Sequence, residues 1–425
     1  MPVAIIFLRR HPEVSSLACN KMRRSICFIF FMILTGPLIG QTIQDSLLTD
    51  FFQQAVSLDK VAGVHAIVAK NGKLVYSQTF GYADIEKQMP LESDAIYRIA
   101  SMTKIVTTIA ALQLWEKGLF QLDDPVSKYL PVFEKVTVLK TGMENQFEPP
   151  YKTEPLERQP TLEDLFRHTA GIWGGNRYTV AGLRNWEGSL QSFVETLVSV
   201  PLATQPGTKF QYGYAIDVIG LLIEKWSGQP LDIYFKEHIF DPLGLKDTGF
   251  VISENDLQRL PNHYTFQDGQ LIFEEGGETS PFLKRSQALS GGGGWYYSYP
   301  GLLTSAKDWL TIMELIRNNG TYDGIQLLKP STVKMMCEDH LGSIPGAFEA
   351  GAGYGLGIGV VIDGPVHGKG ASTGTVYWAG GPHNTYFYID FEKGISAAML
   401  MQTGPFGLDN MMNEFLIRSQ KVFGN

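Results

Sequence analysis

The sequence predicts an α+β (α/β) fold: an antiparallel sheet drawn from both ends of the chain and flanked by helices, with a mostly helical subdomain inserted between its parts. Three observations predict it. "VHAIVAKNGKLVYSQTFGYAD" holds two β-rich runs around Asn71-Gly72, a strong signal for a two-residue hairpin turn. Helical patterns fill the middle in "TLEDLFRHTAG", "LQSFVETLVSV", "YAIDVIGLLIEKWSG" and "SAKDWLTIMELIRNNG", three of them closing near a Pro or Gly. Strand-like runs then return in "YGLGIGVVID", "NTYFYIDF" and "GISAAMLMQ", before a last helix in "LDNMMNEFLIRSQKVF". Strands at both ends with helices between them place the sheet at about 45–100 and 260–425, and the helical subdomain at about 101–255.

Composition allows this. A chain of 425 residues, 44% hydrophobic and 18% charged, is long enough for one large or two ordinary globular domains. Thirty-five basic against 43 acidic residues give a formal net charge of -8, and without a long basic run nothing recommends nucleic acid as a partner. No fixed-period repeat or low-complexity segment is visible.

The first 40 residues read as a leader. Arg23 and Arg24 precede an apolar run from Ile26 to Ile39 broken by Gly36-Pro37, the pattern of a secretory signal peptide. The run falls short of the about 20 apolar residues of a membrane span, so no stable span is expected after cleavage. Because "MPVAIIFLRRHPEVSSLACN" fits neither a signal nor a domain, Met22 is a candidate true start. Residues 41–425 then form the mature domain, secreted or periplasmic. Cys19 and Cys27 lie in the leader, leaving Cys337 in "TVKMMCEDH" as a lone helix cysteine with no disulfide framework. "NGT" at 319–321 is a formal glycosylation sequon.

The chemistry centres on "YRIASMTKIVTTIAALQLWEKG", where Ser101 and Lys104 stand one turn apart at the start of a helix. S-x-x-K occurs three times in the chain. Ser57–Lys60 lies in a polar helix-like stretch, and Ser331–Lys334 follows Pro330 with Ser331 as a plausible N-cap. Ser101 differs, since Ile105, Val106, Ile109, Ala110, Leu112 and Leu114 are apolar on nearly every face, as in a central buried helix. Residues three apart share a helix face about 5–6 Å apart, so Lys104 reaches the Ser101 hydroxyl. Burial favours an amine over an ammonium, and a helix start offers unpaired N–H groups to a developing oxyanion. Alone, the pair reads equally as a nucleophile with its proton acceptor or as an ordinary N-cap.

Two later stretches decide between these. "PGTKFQYGYAIDVIGLLIEKWSG" and "STGTVYWAGGPHNTYFYIDFEKG" stand in chain order where serine β-lactamases and penicillin-binding proteins carry their second and third motifs. With "YRIASMTKIVT", "PTLEDLFRHTAGI" and "IFDPLGLKDTGF", the chain resembles the class C β-lactamase and esterase branch of that superfamily over roughly 45–420. The resemblance implies a β-lactamase-like fold and a cleft between sheet and helical subdomain. It makes Ser101 the acylated nucleophile, Lys104 its activating partner and Tyr212 the proton shuttle. It also puts Trp378-Ala379-Gly380 on a cleft-lining edge strand, with the Gly381 N–H joining that of Ser101 as oxyanion hole.

The departures are equally informative. Tyr212-Gly213-Tyr214 stands where β-lactamases have Tyr-x-Asn, so Tyr214 replaces the amide that contacts substrate. Trp378-Ala379-Gly380 stands where they have Lys-Thr-Gly, as in esterase and acyltransferase members. An indole cannot pair with a substrate carboxylate as a lysine can. His383 is a candidate cation there, or a hydrogen-bonded structural histidine. The expected function is therefore a serine hydrolase forming an acyl-enzyme on small ester or amide substrates, carboxylesterase- or acyltransferase-like. β-Lactamase, D,D-peptidase or a penicillin-binding receptor with negligible turnover are the alternatives.

Rival motifs are weaker. "GASTG" at 370–374 matches G-x-S-x-G, but a strand-like run follows Ser372 where a nucleophile elbow needs a helix. "SGGGGW" at 290–295 lacks the ending of a phosphate loop and reads as a cleft-side connector. The eight histidines are scattered and no H-E-x-x-H occurs, so neither a metal nor another cofactor is called for. From the leader pattern, N-terminal sequencing of secreted material should find a mature start near Gln41; a start at Met1 or Pro2 excludes the signal reading.

Overall fold

The structure, a computed structural model, describes residues 36–143, 146, 148–172, 182–183, 188–274, 301–346, 348–405 and 407–424. Residues 1–35 of the expected leader, with Met22, Cys19 and Cys27, and the Gly-rich 290–295 stretch lie outside the described residues, while 36–40 open a helix that continues past Gln41. Contacts divide the chain into two units, Met1–Gln44 and Asp45–Asn425, and the opening of helix α1 (Gly36–Ser57) is all that is described of the first. Among the described residues no helix is long and apolar enough to cross a membrane.

The hairpin forms as its turn residues dictate. Strands β1 (Gly63–Lys70) and β2 (Lys73–Asp84) are joined through Asn71 at φ 50° and Gly72 at φ 80°, the two positive angles of a type I′ turn. The short β3 (Met89–Pro90) completes the N-terminal contribution. From the other end come β4 (Ala352–Tyr354), β5 (Gly359–Val361), β6 (Val376–Gly380), β7 (Thr385–Asp390) and β8 (Ile395–Met401). All pair antiparallel into one eight-stranded sheet of order β4-β5-β6-β7-β8-β1-β2-β3. The seam between the two ends is β1 on β8, from Val64 opposite Met401 to Lys70 opposite Ile395.

Helices cover both faces, which is why β8 is buried along its whole length and reads as an apolar run broken only by Ser396. On one face Val64, Ala66, Val68, Ala397 and Met399 pack beneath Leu48 and Phe52 of α1 and Phe415 of the C-terminal helix, Met411–Phe423. Ile67, Ala398, Leu400 and Phe387 alternate onto the other face. There the helix Ala306–Arg317 lays Trp309 edge-on against Phe387, ring centroids 5.2 Å apart.

Between β3 and β4 lies the helical region. Its centre is α2 (Thr103–Glu116), buried at every position from Thr103 to Leu112 and packed on α3 (Ala215–Ser227). A helix surrounded on all sides needs no charged face, and the polar side chains it carries before Gln113, Thr103, Lys104, Thr107 and Thr108, are all buried. α3 stops at Gly228, whose φ of 70° suits the left-handed cap position.

Two expectations are corrected. The run 161–171 is helical only over Leu162–Phe166, because the Thr169 and Ala170 N–H groups fold back onto the Asp164 carbonyl and end the helix. Ser331 is not an N-cap. Lys329 holds that position and Pro330 takes the first helical place, where its missing N–H costs nothing.

Candidate active site

The strand pair Ile96–Arg98 and Leu303–Ser305 delivers the chain to a 3₁₀ turn, Ala100–Met102, that runs straight into α2. Ile99 N–H donates to the Leu302 carbonyl (3.0 Å) and Leu302 N–H to Thr103 Oγ1 (2.8 Å), clamping the turn on both sides. Ala100 is held at φ 42°, an angle costly for a residue with a Cβ and kept only where surrounding structure enforces it. Ser101 follows, 9% exposed, and Lys104 is wholly buried. Lys104 Nζ donates to Ser101 Oγ at 3.2 Å.

Tyr212 arrives on the segment before α3. Phe210 N–H donates to the Pro345 carbonyl (2.9 Å) and Gln211 N–H to the His168 carbonyl (2.8 Å), fixing the backbone just ahead of it. Its ring lies with Lys104 Nζ 4.7 Å from its centroid, a cation–π distance. Ser101, Lys104 and Tyr212 thus come together although Tyr212 lies 108 positions after Lys104 in the chain.

The third expected element is also adjacent. The end of β6 packs against the Ser101 turn, and the turn Gly381–His383 that follows touches it too. A Cβ on Gly380 would stand 2.3 Å from the Ile99 carbonyl oxygen and 2.1 Å from Thr385 Oγ1, so only glycine permits this approach. Trp378 is 7% exposed and meets the rings of Tyr212 (5.2 Å), Tyr354 (5.0 Å) and Phe348 (5.6 Å). Its Nε1 has no hydrogen-bond partner among the described residues.

Other expected residues are placed differently. Ala379 alternates to the opposite sheet face and packs with the α1 cluster, so its side chain does not join Trp378. Tyr214 is buried in the helical region with its ring 5.6 Å from Phe193. His383 is no cation: burial, with His263 and Arg98 nearby, pushes its imidazole well below the ordinary value. Ser57 bonds the Gln54 carbonyl at an exposed helix end, and Ser331 is exposed. Ser372 precedes a strand, its N–H donating to Asp390 Oδ2.

Nothing in the local pattern marked Phe210, Phe348, Tyr354 or His168, which complete the aromatic wall around Tyr212 and Trp378. Nor did it mark Asp164. Burial alone would raise that carboxyl, yet bonds from Arg158, the Thr161 N–H and Thr169, with the Arg158 charge, hold it below the usual carboxylate range. Only the "FRHTAG" wording hinted at this corner.

The beta-lactamase family model matches residues 48–420, nearly the whole described chain. The chain belongs to the beta-lactamase family. Among beta-lactamase family relatives, esterase EstB of Burkholderia gladioli is 30% identical over 382 residues, covering 84% of this chain and 90% of EstB. Lovastatin esterase of Penicillium rubens is 31% identical over 387 residues, 83% of this chain and 91% of its own. The fold superposes on EstCE1, described as a hydrolase with promiscuous acyltransferase activity, with a TM-score of 0.75 at 24% identity, over 91% of this chain and 100% of EstCE1.

The Gly380 contact makes a prediction. Gly380→Ala must push β6 off the Ile99 carbonyl, so the protein should stay folded by circular dichroism while fluorophosphonate labelling of its reactive serine slows at least about 10-fold, a misplacement effect. Wild-type labelling by this variant would show that the strand and turn are not mechanically linked.

Proposed function

We propose that this beta-lactamase family protein is a serine esterase or acyltransferase that works through an acyl-enzyme on Ser101. The observation that carries the proposal is the buried Ser101–Lys104 contact covered by the Tyr212 ring. With the amine unprotonated, the same contact runs from Oγ to Nζ, and Lys104 takes the hydroxyl proton as Oγ bonds to the substrate carbonyl carbon. The carbonyl oxygen becomes an oxyanion directed to the N–H groups of Ser101 and Gly381. As the tetrahedral adduct collapses, the carbon–oxygen bond to the leaving alcohol breaks and the alcohol collects the proton through Lys104 and Tyr212. Water, or an acceptor alcohol in the transferase case, then attacks the acyl-enzyme along the reverse path.

Esters are favoured over β-lactams and D-Ala-D-Ala peptides by what lines the site. Trp378 supplies apolar area and one N–H donor, with no charge to meet a carboxylate. The rings of Tyr212, Tyr354 and Phe348 around it extend that apolar surface. Esterase activity in the names of EstB and the lovastatin enzyme supports the same reading. The Arg23-Arg24 leader supports action outside the cytoplasm.

Two outcomes test this. Ser101→Ala and Lys104→Ala should each lower turnover of a p-nitrophenyl ester about 10³-fold or more, with the double variant little worse, because the pair acts as a unit. Full fluorophosphonate labelling of Ser101→Ala would contradict the assignment. Wild-type protein should also prefer short neutral esters over nitrocefin, since a missing charged hydrogen bond of about 1.5–3 kcal/mol is worth roughly 10- to 150-fold in specificity. A nitrocefin specificity constant matching that for esters would establish the β-lactamase alternative, and a burst that stops at about one product per protein would establish the receptor alternative.

A further inference from the structure

His168 is the residue near the proposed catalytic group with the least obvious reason to be there. It is 1% exposed, and neither ring nitrogen has a hydrogen-bond partner among the described residues. Buried polar atoms are ordinarily satisfied, so a histidine kept on these terms is costly if its task is packing alone. Its backbone stands at φ 55°. That angle is rare for side chains other than glycine, and asparagine, aspartate and histidine are the types enriched there.

Its surroundings explain the choice. The imidazole lies 4.7 Å from the Tyr212 ring, tilted by 56°, with Tyr354 at 5.5 Å and Phe210 at 6.0 Å. Its carbonyl receives the Gln211 N–H, the bond immediately before Tyr212, while Gly207 N–H donates to Thr169. Asp164, ligated by Arg158, Arg167 and Thr169, locks the loop from below. Burial, with Lys104 nearby, pushes the imidazole well below its ordinary value, so a neutral ring faces Tyr212. The position therefore has two requirements: a left-handed backbone to turn the loop onto 207–212, and a neutral flat ring to pack against Tyr212. Asparagine meets the first and phenylalanine the second. Histidine meets both, with ring nitrogens unpaired among the described residues as the consequence.

We infer that His168 is a positioning residue that sets the Tyr212 ring over Lys104 and thereby acts on turnover without touching substrate. The inference rests on the acyl-enzyme reading above. It makes the losses of stability and of activity fall on different variants, which a merely structural role would not.

His168→Asn suits the backbone but loses the ring: its melting temperature should fall no further than that of His168→Phe, while kcat for a neutral p-nitrophenyl ester falls at least about 10-fold and KM stays within about 3-fold. His168→Phe keeps the ring at a strained angle: its melting temperature should fall, with kcat within about 3-fold of wild type. In a Tyr212→Phe background, adding His168→Asn should lower kcat by less than about 2-fold, because the effect passes through Tyr212. Wild-type kcat in His168→Asn overturns the inference. So does His168→Phe falling as far as His168→Asn, which would assign the role to the nitrogens, and so does additivity with Tyr212→Phe, which decides the matter even where the phenylalanine variant does not fold. Active wild-type protein with any of these results leaves the acyl-enzyme reading standing. Wild-type protein with neither turnover nor Ser101 labelling removes that reading, and the inference with it.

Discussion

A lysine with no exposure at all, at the first turn of a helix buried from Thr103 to Leu112, is the constraint around which the proposed site is arranged. A helix start is the positive end of its dipole, where an added positive charge is disfavoured, and burial removes the water that would solvate it. The protein answers with an oxygen one turn back and an aromatic face above, Ser101 Oγ at 3.2 Å and the Tyr212 ring at 4.7 Å. The groups that satisfy the amine are those the proposed chemistry needs, so local stability and reactivity draw on the same contacts.

Holding that arrangement requires backbone the chain does not adopt freely. Ala100 at φ 42°, His168 at φ 55° and the unsubstituted Gly380 each mark a place where the chain approaches the site more closely or turns more sharply than an ordinary residue allows. Each is over-determined by something stiffer: Ala100 by the Leu302 clamp, His168 by the Asp164 network, Gly380 by its place at the end of a paired strand. The sheet makes this possible. Because β1 from one end of the chain pairs with β8 from the other, β6 is anchored through two further strands before it meets the Ser101 turn.

What could be read in the sequence follows from how local each determinant is. The Asn71-Gly72 turn, the all-buried run Ile395–Met401 and the apolar cylinder after Ser101 are determined by neighbours within a few residues, and each forms as expected. The Ser-Lys spacing is likewise fixed by one helical turn. The wall around Tyr212 is of another kind: His168, Phe210, Phe348, Tyr354 and Trp378 come from four separated segments, and no periodicity links them. Ala379 and Tyr214 show the limit of carrying a motif over whole, since strand alternation turns one away from the cleft and helix packing buries the other. His383 was a candidate cation until the structure put a second histidine and an arginine beside it.

The substitution of Trp378 for a lysine then has a meaning beyond the loss of a charge. At so enclosed a position an ammonium would have to be offset by a substrate anion or by protein carboxylates. The rings of Tyr212, Tyr354 and Phe348 offer neither. An indole avoids that cost and packs against the Tyr212 ring that covers Lys104. In the proposed ester chemistry, selectivity against carboxylate substrates follows from this one aromatic cluster. The exposed member, Phe348, is 57% accessible, whereas Trp378 at the heart of the cluster is enclosed.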